Sequence, residues 1–441
     1  MTFLRCAMVA LLLTACGAPD PRHPSSDLAS VHVQLSEGGM ESEVLRPSVR
    51  TIALTRPLVL HGAWRGDLPL AYRTGAELDD TRYELDDAAT RLSFGSNELA
   101  EDASAPYMHV SEERVELALH WYPDLPGESV LEVVTTLPPA MRLFCSGEPL
   151  SAGRSWRLPA HAHAALVGIA QPGASNAGRV TLAFDEGWMD DELARELTHF
   201  AARAVELYRV ELGDTRRERF TVVLPPRQGV AYWTEGLIVV PQYFAGYAEP
   251  QSEGRDDVSD DLRLEMQTRD LALDPDPAAL EHRSAPAEAG GDAAQLRMAL
   301  AHEIAHEHWH GYPTVGGWLH VDEALATYSA WRALPESERD ELMVHAARAL
   351  MVSQLRPDAP WTDTERHDLD AYYIGPLFFG ALANTFGRAR LHEMLRQLVV
   401  EHRREPMTEE RFLAALERGL GVQARELFRE WSRTVAYERE R

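Results

Sequence analysis

The chain has 441 residues, which is enough for two or three domains with complete hydrophobic cores. Its apolar fraction of 45% and charged fraction of 25% are ordinary for soluble globular protein. The formal net charge is −26, and a field of that sign repels nucleic-acid phosphates, so binding to nucleic acid is excluded.

The first feature in chain order is a signal sequence with a lipid-attachment site. Arg5 supplies a positive charge, and the apolar stretch 7–13 is far too short to span a bilayer. The motif LTAC, which ends at Cys16, resembles the bacterial lipobox, in which a peptidase cuts before the cysteine and lipid is attached to it. The resemblance implies removal of residues 1–15 and a lipid anchor in the cell envelope, at the outer membrane or the periplasmic face. The alternative is an ordinary signal peptide with a chance cysteine.

A tether and a β domain are predicted next. Residues 16–30 are rich in Pro and Ser and are interpreted as a tether between lipid and body. Over 31–184, apolar residues alternate, as at Val31, Val33 and Leu35, and Gly and Pro recur between such runs. This pattern predicts an antiparallel β domain without visible chemistry.

The cysteines exclude a disulfide framework. Cys6 would leave with the signal and Cys16 would carry lipid, so Cys145 has no cysteine to pair with. We expect Cys145 to be a buried small hydrophobe rather than a reactive thiol.

The second half of the sequence changes to helical periodicity. The predicted elements are an amphipathic helix at about 190–212 and strands at 220–224 and within 229–241. Residues 249–291 are rich in Asp, Glu, Pro and Ala without periodicity, which indicates a long surface insertion. Everything after about residue 292 is predicted to be helical.

The segment HEIAH, from His302 to His306, is the first chemical motif. On a helix, positions i and i+4 share a face, so two imidazoles can meet one metal ion. A helix is favoured because Leu296, Leu300 and Ile304 form a core stripe, and the ligand face points away from it.

A third metal ligand is predicted at Glu323, with sixteen residues between it and His306. A helix over 321–333 would present Glu323 from its first turn, after a reversal rich in Gly and Pro. Catalytic zinc takes three protein ligands and keeps a fourth position for water. We therefore predict one zinc ion held by His302, His306 and Glu323.

The stretch from His302 to Tyr328 resembles the gluzincin metallopeptidases, most closely the aminopeptidase N-like family. That family has HELAH, a tryptophan and a WLNEGFAxY segment that carries the glutamate. The corresponding features here are HEIAH, Trp309 and DEALATY. The segment YYIGPLFF at 372–379 resembles the Tyr-x-x-Gly helix start of the family, whose tyrosine stabilises the oxyanion. The resemblance assigns this role to Tyr372, with Tyr373 as the fallback.

The resemblance implies an α+β fold. The antiparallel β domain would be followed by a zincin-like catalytic domain over 185–334, with a mixed sheet, the active-site helix and the insertion 249–291. An all-helical region would occupy 335–441.

Two features depart from the family pattern. The family usually places eighteen residues between its second histidine and its glutamate, so the connecting loop here must be tighter. The family's GAMEN strand, whose glutamate holds the free amino end of a substrate, has its nearest counterpart at Gly229–Trp233, which lacks that glutamate. Glu235 lies downstream. Hydrolysis is implied, but exopeptidase and endopeptidase action both stay open.

The predicted reaction is hydrolysis of peptide bonds outside the cytoplasm by a metal-activated water. Glu303, between the two histidine ligands, would take the proton of the water and pass it to the leaving amine. Tyr372 would donate a hydrogen bond to the tetrahedral oxyanion.

Two other functions stay open: a zinc hydrolase of a non-peptide substrate, and a non-enzymatic surface lipoprotein in which zinc only joins helices. A structural zinc is normally closed by four protein ligands, so His308, His310 or His320 on the metal would favour the second. Asp322 is expected to sit at its helix N-terminus rather than to orient a ligand histidine.

Overall fold

The structure is a computed structural model that describes residues 28–244 and 293–437. The interruptions within these ranges are 37–38, 54–57, 74–81, 97–107, 119–120, 122–124, 126–127, 152–153, 159–163, 188, 216, 227, 230, 235, 341, 345, 347–366 and 368. The signal sequence, Cys16, most of the tether and the insertion 249–291 lie outside the described residues, and those assignments stay predictions.

The N-terminal region consists of two β-sheets. In chain order the strands are β1 (Ala29–Ser36), β2 (Gly39–Ala53), β3 (Val59–Arg65), β4 (Leu68–Pro69), β5 (Tyr72–Arg73), β6 (Arg82–Ser96), β7 (Met108–Val110), β8 (Arg114–Leu117), β9 (Ser129–Thr135), β10 (Arg142–Cys145), β11 (Glu148–Ser151), β12 (Ser155–Leu158) and β13 (Leu166–Ile169). Within the described residues, the larger sheet has the order β11-β12-β9-β1-β2-β6-β3-β4, with β5 on β6. The smaller sheet has the order β10-β13-β8-β7.

The antiparallel β domain is confirmed, with one exception in its pairing. Strands β1 and β9 run parallel, whereas the other described pairs of both sheets are antiparallel. The alternation of Val31, Val33 and Leu35 puts all three in the core, since successive side chains of a strand point to opposite faces. Cys145 is a free, buried cysteine, and burial raises the pKa of its thiol to about 12, as expected of an inert residue.

A mixed sheet follows the β domain. Its strands are β14 (Pro172–Ala177), β15 (Val180–Asp185), β16 (Phe220–Leu224), β18 (Tyr232–Thr234) and β19 (Leu237–Val239), in the order β14-β15-β16-β19-β18. A separate parallel pair joins β17 (Gln228–Gly229) to β20 (Tyr243–Phe244). Strands β15, β16 and β19 are parallel, and both outer strands are antiparallel to their neighbours.

Two details of this sheet differ from the sequence prediction. The sequence pattern assigns residues 172–184 to the β domain, but β15 pairs with β16, so this segment belongs to the mixed sheet. Alternating apolar residues look alike in either sheet, and only the hydrogen-bonding partner separates them. The segment 229–241 contains two strands rather than one, because the chain reverses at Gly236, whose φ of 93° suits glycine.

Helices make up most of the rest of the described chain, although the prediction that everything after about residue 292 is helical is wrong for one short hairpin. They are α1 (Asp191–Leu212), α2 (Ala293–Trp309), α3 (Val321–Ala333), a π-helical turn (Asp370–Ile374), α4 (Gly375–Phe386), α5 (Arg388–His402), α6 (Glu409–Leu420) and α7 (Val422–Tyr437). A small hairpin, β21 (Thr314–Val315) with β22 (Leu319–His320), joins α2 to α3. The helices predicted at 190–212 and 321–333 are confirmed. Asp190 begins α1 by accepting a hydrogen bond from the backbone N–H of Leu193.

The mixed sheet lies between the helices and the β domain. Val222 and Ile238 point to one face and join the core formed by the helices. Val223 and Val239 point to the other face and pack with Phe144 of the β domain. Because successive side chains of a strand point to opposite faces, the same short strands contribute residues to two hydrophobic cores. None of the described helices is both long and apolar enough to cross a bilayer.

Candidate metal centre

His302 and His306 lie on α2 and face the same side, as the HEIAH spacing predicts. Leu296, Leu300 and Ile304 are buried on the opposite side and anchor the helix in the core. The two Nε2 atoms are 3.0 Å apart, and the rings are nearly perpendicular. Both imidazoles are buried, so packing against neighbouring residues restricts their side-chain rotamers.

Glu323 completes the group from the first turn of α3, which packs against α2. Its Oε2 lies 3.1 Å from Nε2 of His302 and 3.5 Å from Nε2 of His306. One ligand atom from each residue thus lies within 4.8 Å of the others. Among the described residues, these three form the cluster that could hold a metal ion.

The electrostatics of the group favour an anionic carboxylate beside one protonated ring. Burial opposes ionisation of Glu323, but His306 and His302 hold its pKa far below the ordinary value. Burial also opposes the charged form of His306, yet Glu323, Glu303 and Asp322 together raise its pKa to about 9. Burial lowers the pKa of His302, so this ring is neutral. Without metal, a proton on His306 therefore balances the buried carboxylate.

Glu303 lies on α2 between the two histidines and is also buried. Burial is the main cause that raises the pKa of its carboxyl group to about 8. The charge of Glu323 adds to this effect, and His306 opposes it. A carboxyl group with a pKa near neutrality is suited to taking up and releasing a proton.

Thr327 is a site residue that sequence reasoning missed. Its Oγ1 lies 3.2 Å from Nδ1 of His302, on the side of the ring opposite to the metal group. Such a partner fixes the orientation and the tautomer of a ligand histidine. The available signal was spacing, because Thr327 follows Glu323 by four residues and shares its helix face.

Asp322 lies in the first turn of α3, where it was expected. Its carboxylate accepts a hydrogen bond from the backbone N–H of Glu323 at 3.0 Å. Burial, followed by the neighbouring charge of Glu323, raises the pKa of Asp322.

Tyr372 lies beside the metal group, in the π-helical turn that precedes α4. Its ring centroid is 5.8 Å from that of His302, whereas Tyr373 packs against the helical core. The structure thus brings Tyr372, rather than the fallback residue, to the site. Gly375 permits this approach, because a Cβ there would lie only 2.5 Å from Cβ of Ala324.

The neighbouring histidines of the motif region lie elsewhere. His308 is buried against Tyr208. His310 packs on the ring of Trp233 at 4.7 Å, and Nδ1 of His320 lies 3.0 Å from Oγ1 of Thr314. None of the three histidines belongs to the metal-binding cluster found among the described residues.

The edge strand β18 approaches α2 just beyond the metal group. The indole N–H of Trp233 donates a hydrogen bond to Glu307, at 3.0 Å. Arg217 lies 3.4 Å from the same carboxylate. Tyr232, in the counterpart of the GAMEN segment, donates its hydroxyl to buried Glu116 of β8. Glu235 lies outside the described residues.

The donor set fits zinc. Two imidazole nitrogens and one carboxylate oxygen are the ligands of hydrolytic zinc sites. The three ligand atoms already converge on one point, with the two Nε2 atoms 3.0 Å apart and the Glu323 Oε2 within 3.5 Å of both. A zinc ion could replace the proton on His306 and bind these same three atoms.

The comparisons with known proteins define the class by fold. No family model matches the sequence, and no curated protein matches it at a significant level. The chain has the fold of M1 zinc metallopeptidases.

The solved structures with this fold include proteins from Deinococcus radiodurans and yeast. The M1 zinc metallopeptidase from Deinococcus radiodurans matches with a TM-score of 0.58 and 17% identity, over 92% of each chain. A mutant form of it matches with a TM-score of 0.55 and 16% identity, over 92% of this chain and 93% of the other. Native yeast LTA4 hydrolase matches with a TM-score of 0.59 and 10% identity, over 92% of this chain and 67% of the other. The predicted α+β architecture is thereby confirmed.

Proposed function

We propose that the protein is a zinc-dependent metallopeptidase that hydrolyses peptide bonds outside the cytoplasm. The observation that carries the proposal is the convergence of His302, His306 and Glu323 from two packed helices, with ligand atoms within 4.8 Å. The shared fold of M1 zinc metallopeptidases supports it. When bound, zinc would polarise the scissile carbonyl and acidify a water molecule.

Glu303 is the proposed general base. It lies next to a ligand on the same helix, and burial raises its pKa to about 8. A carboxylate held in this environment can accept the proton of the attacking water and return it to the leaving amine. The buried position also excludes bulk solvent, which keeps the transferred proton local.

Tyr372 is the proposed donor to the oxyanion. Its ring lies beside His302, and a phenol O–H can donate a hydrogen bond. A positioned donor of this kind stabilises the transition state by about 2.7–4 kcal/mol. The edge strand β18 would bind an extended peptide by main-chain hydrogen bonds. A mutant of the Deinococcus radiodurans metallopeptidase was solved bound to the substrate Tyr-Ser-Ala, which supports a peptide as the substrate class proposed for this chain.

The proposal is tested by incubating purified protein with a peptide mixture and identifying the products by mass spectrometry. Glu303→Gln should lower cleavage by about 10²–10⁴-fold while zinc stays bound. Glu336→Gln is the matched control, since the side chain of Glu336 is 84% exposed. A chelator should abolish cleavage, and added zinc should restore it in the wild-type protein and the control alone. Equal cleavage by Glu303→Gln would remove the assignment of the base.

The same assay distinguishes terminal from internal attack. The mixture contains each peptide with a free and with an acetylated amino end. An aminopeptidase of the kind suggested by the family resemblance requires the free amine, whereas an endopeptidase accepts both. The absence of a glutamate from Tyr232–Thr234 makes this comparison informative.

A zinc hydrolase of a non-peptide substrate is the second candidate. The fold is also that of native yeast LTA4 hydrolase, and a fold does not by itself fix the substrate. A protein that holds one zinc ion and spares every peptide, but hydrolyses small esters in a Glu303-dependent reaction, would support this candidate. A protein inert in both assays would support a structural zinc.

We further propose that Cys16 anchors the protein to the cell envelope through lipid. The proposal rests on the LTAC motif alone. In a bacterial host, the wild-type protein should fractionate with membranes, and its N-terminal peptide should carry acyl chains by mass spectrometry. Cys16→Ser should give a protein that carries no acyl chains and keeps residues 1–15, and a wild-type N-terminal peptide without acyl chains would contradict the anchor.

A further inference from the structure

A cavity of about 770 Å³ lies between the β domain and the mixed sheet. Its walls are the strands β10, β11 and β12 on one side and the beginnings of β16 and β19 on the other. This volume is typical of small-molecule sites, which often occur at domain interfaces.

The charge of the lining is opposite to that of the whole protein. Four arginines line the cavity, namely Arg142, Arg157, Arg217 and Arg219. Two glutamates, Glu128 and Glu148, also line it, so positive charge is in excess. In a chain with a formal net charge of −26, this is a local reversal of the field.

One of these arginines, Arg157, is only partly satisfied by the protein. Nε of Arg157 is buried and has no hydrogen-bond partner among the described residues. Its guanidinium lies 3.9 Å from the carboxylate of Glu148, which is longer than a hydrogen bond. The guanidinium of Arg142 lies over the ring of Phe144, so its flat face rather than its N–H edge makes this contact. A buried N–H without an acceptor is unfavourable, so a bound acceptor would stabilise this arrangement.

The rest of the lining is apolar. Leu143, Phe144, Pro149 and Trp156 contribute to it. Several guanidinium groups in one cavity with aromatic and aliphatic surface match a ligand with two parts, an acidic head and an apolar body. Guanidinium groups bind carboxylate and phosphate in a two-pronged geometry.

One arginine connects the cavity to the helix that carries the metal group. Arg217 lines the cavity and lies 3.4 Å from the carboxylate of Glu307. Glu307 follows His306 directly and also accepts the indole N–H of Trp233. An anion in the cavity would therefore share Arg217 with Glu307.

We propose that this cavity binds a small organic anion with a carboxylate or phosphate head and an aromatic or aliphatic body, separately from the metal centre. The arginines hold the head, and the apolar lining covers the body. The proposal goes beyond the peptidase function, and its test measures binding, so a failure of the peptidase proposal leaves it standing.

The test is isothermal titration calorimetry of the zinc-loaded full chain at fixed ionic strength. Benzoate and phenyl phosphate distinguish a carboxylate head from a phosphate head. Benzyl alcohol lacks the charge, and inorganic phosphate lacks the apolar body. We expect one aromatic anion to bind with one site per chain, at least about tenfold more tightly than either incomplete probe.

Variants locate the binding site. The double substitution Arg157→Gln and Arg219→Gln should weaken binding at least about tenfold. Arg50→Gln with Arg73→Gln is the matched control, because both side chains are exposed and the change of charge is the same. Arg219→Gln alone should weaken binding in the same direction, and it serves if the double variant fails to fold.

Glu307→Gln should change the affinity for the anion in the direction opposite to the arginine substitutions. Removal of the competing carboxylate frees Arg217, so the anion should bind more tightly than in the wild-type protein, by about threefold. Binding that the arginine substitutions leave unchanged, or no saturable binding of either aromatic anion at millimolar concentration, would overturn the proposal.

Discussion

The helix pair α2–α3 and the sheet edge at β18 meet around the same centre, but they are built in different ways. His302 and His306 are four residues apart on one helix, and a single reversal brings Glu323 to them. The contact between Trp233 and Glu307 joins residues separated by 74 positions. Metal-binding chemistry is encoded locally, whereas the surface that would contact a substrate depends on tertiary packing.

The two regions also differ in burial. The histidines and Glu303 are buried in the helical core, whereas Tyr232 and Trp233 are only half-buried at an open sheet edge. Substitutions in the helix pair should therefore reduce zinc affinity or peptide cleavage more than substitutions at the sheet edge do. The following predictions test this ranking, from the largest expected effect to the smallest.

Glu323→Gln should have the largest effect. The carboxylate is the anionic member of the metal group, and its loss removes a ligand rather than a supporting contact. Zinc affinity should fall by more than about 100-fold, which exceeds the loss of affinity expected when a residue that only hydrogen-bonds to a ligand is replaced. Peptide cleavage should be lost. Metal analysis after dialysis checks the first effect, with Glu336→Gln as the control. Full zinc content in the Glu323→Gln variant would contradict the ligand assignment.

Tyr372→Phe should reduce kcat by about 10²–10³-fold without loss of zinc, because it removes one donor to the transition state. Tyr373→Phe is the matched control, since that ring packs against the helical core. Steady-state kinetics on a cleaved peptide separate the two residues. If Tyr373→Phe had the larger effect on kcat, the assignment would pass to the fallback residue.

Thr327→Val should weaken zinc binding by about 10–100-fold, since it removes the partner of the second nitrogen of His302. The control is Thr198→Val, a buried helical threonine of α1 that bonds to a carbonyl of its own helix. Competition with a chromogenic chelator measures both affinities. Equal affinities would show that Thr327 only fills space.

Zinc affinity should fall about tenfold for each pH unit below pH 9, because metal binding must displace one proton from His306. The sign follows from the metal-free protein, in which buried Glu323 raises the pKa of His306 to about 9, so this ring is protonated at neutral pH. Metal-buffered titrations between about pH 6 and 8 provide the slope. An affinity that is constant over this range would show that His306 is already neutral.

Trp233→Phe should have the smallest effect. It removes the hydrogen bond to Glu307, whose net value of about 0.5–1.5 kcal/mol corresponds to an increase in KM of about 2- to 13-fold, with kcat unchanged. Trp64→Phe, in β3 of the β domain, is the control. A loss of kcat as large as that expected for Tyr372→Phe would show that the edge strand takes part in the chemistry.

The sequence predicted much of the fold because its signals are periodic. The helices at 190–212 and 321–333 and the strand at 220–224 were predicted from side-chain spacing and match the structure. The sheet membership of β14 and β15 was not predicted. Alternation specifies a strand, but the backbone hydrogen bonds to β16 that decide its sheet come from a segment after α1.

The sequence by itself determined the metal-binding group, since the spacing of His302 and His306 on a helix and the single reversal to Glu323 leave few ways to arrange them. Only the tertiary structure decided that Thr327 supports His302, that Gly375 lets Tyr372 approach, and that four arginines surround one cavity. Contacts of this second kind join distant segments. They depend on how whole elements pack, which short-range periodicity does not specify.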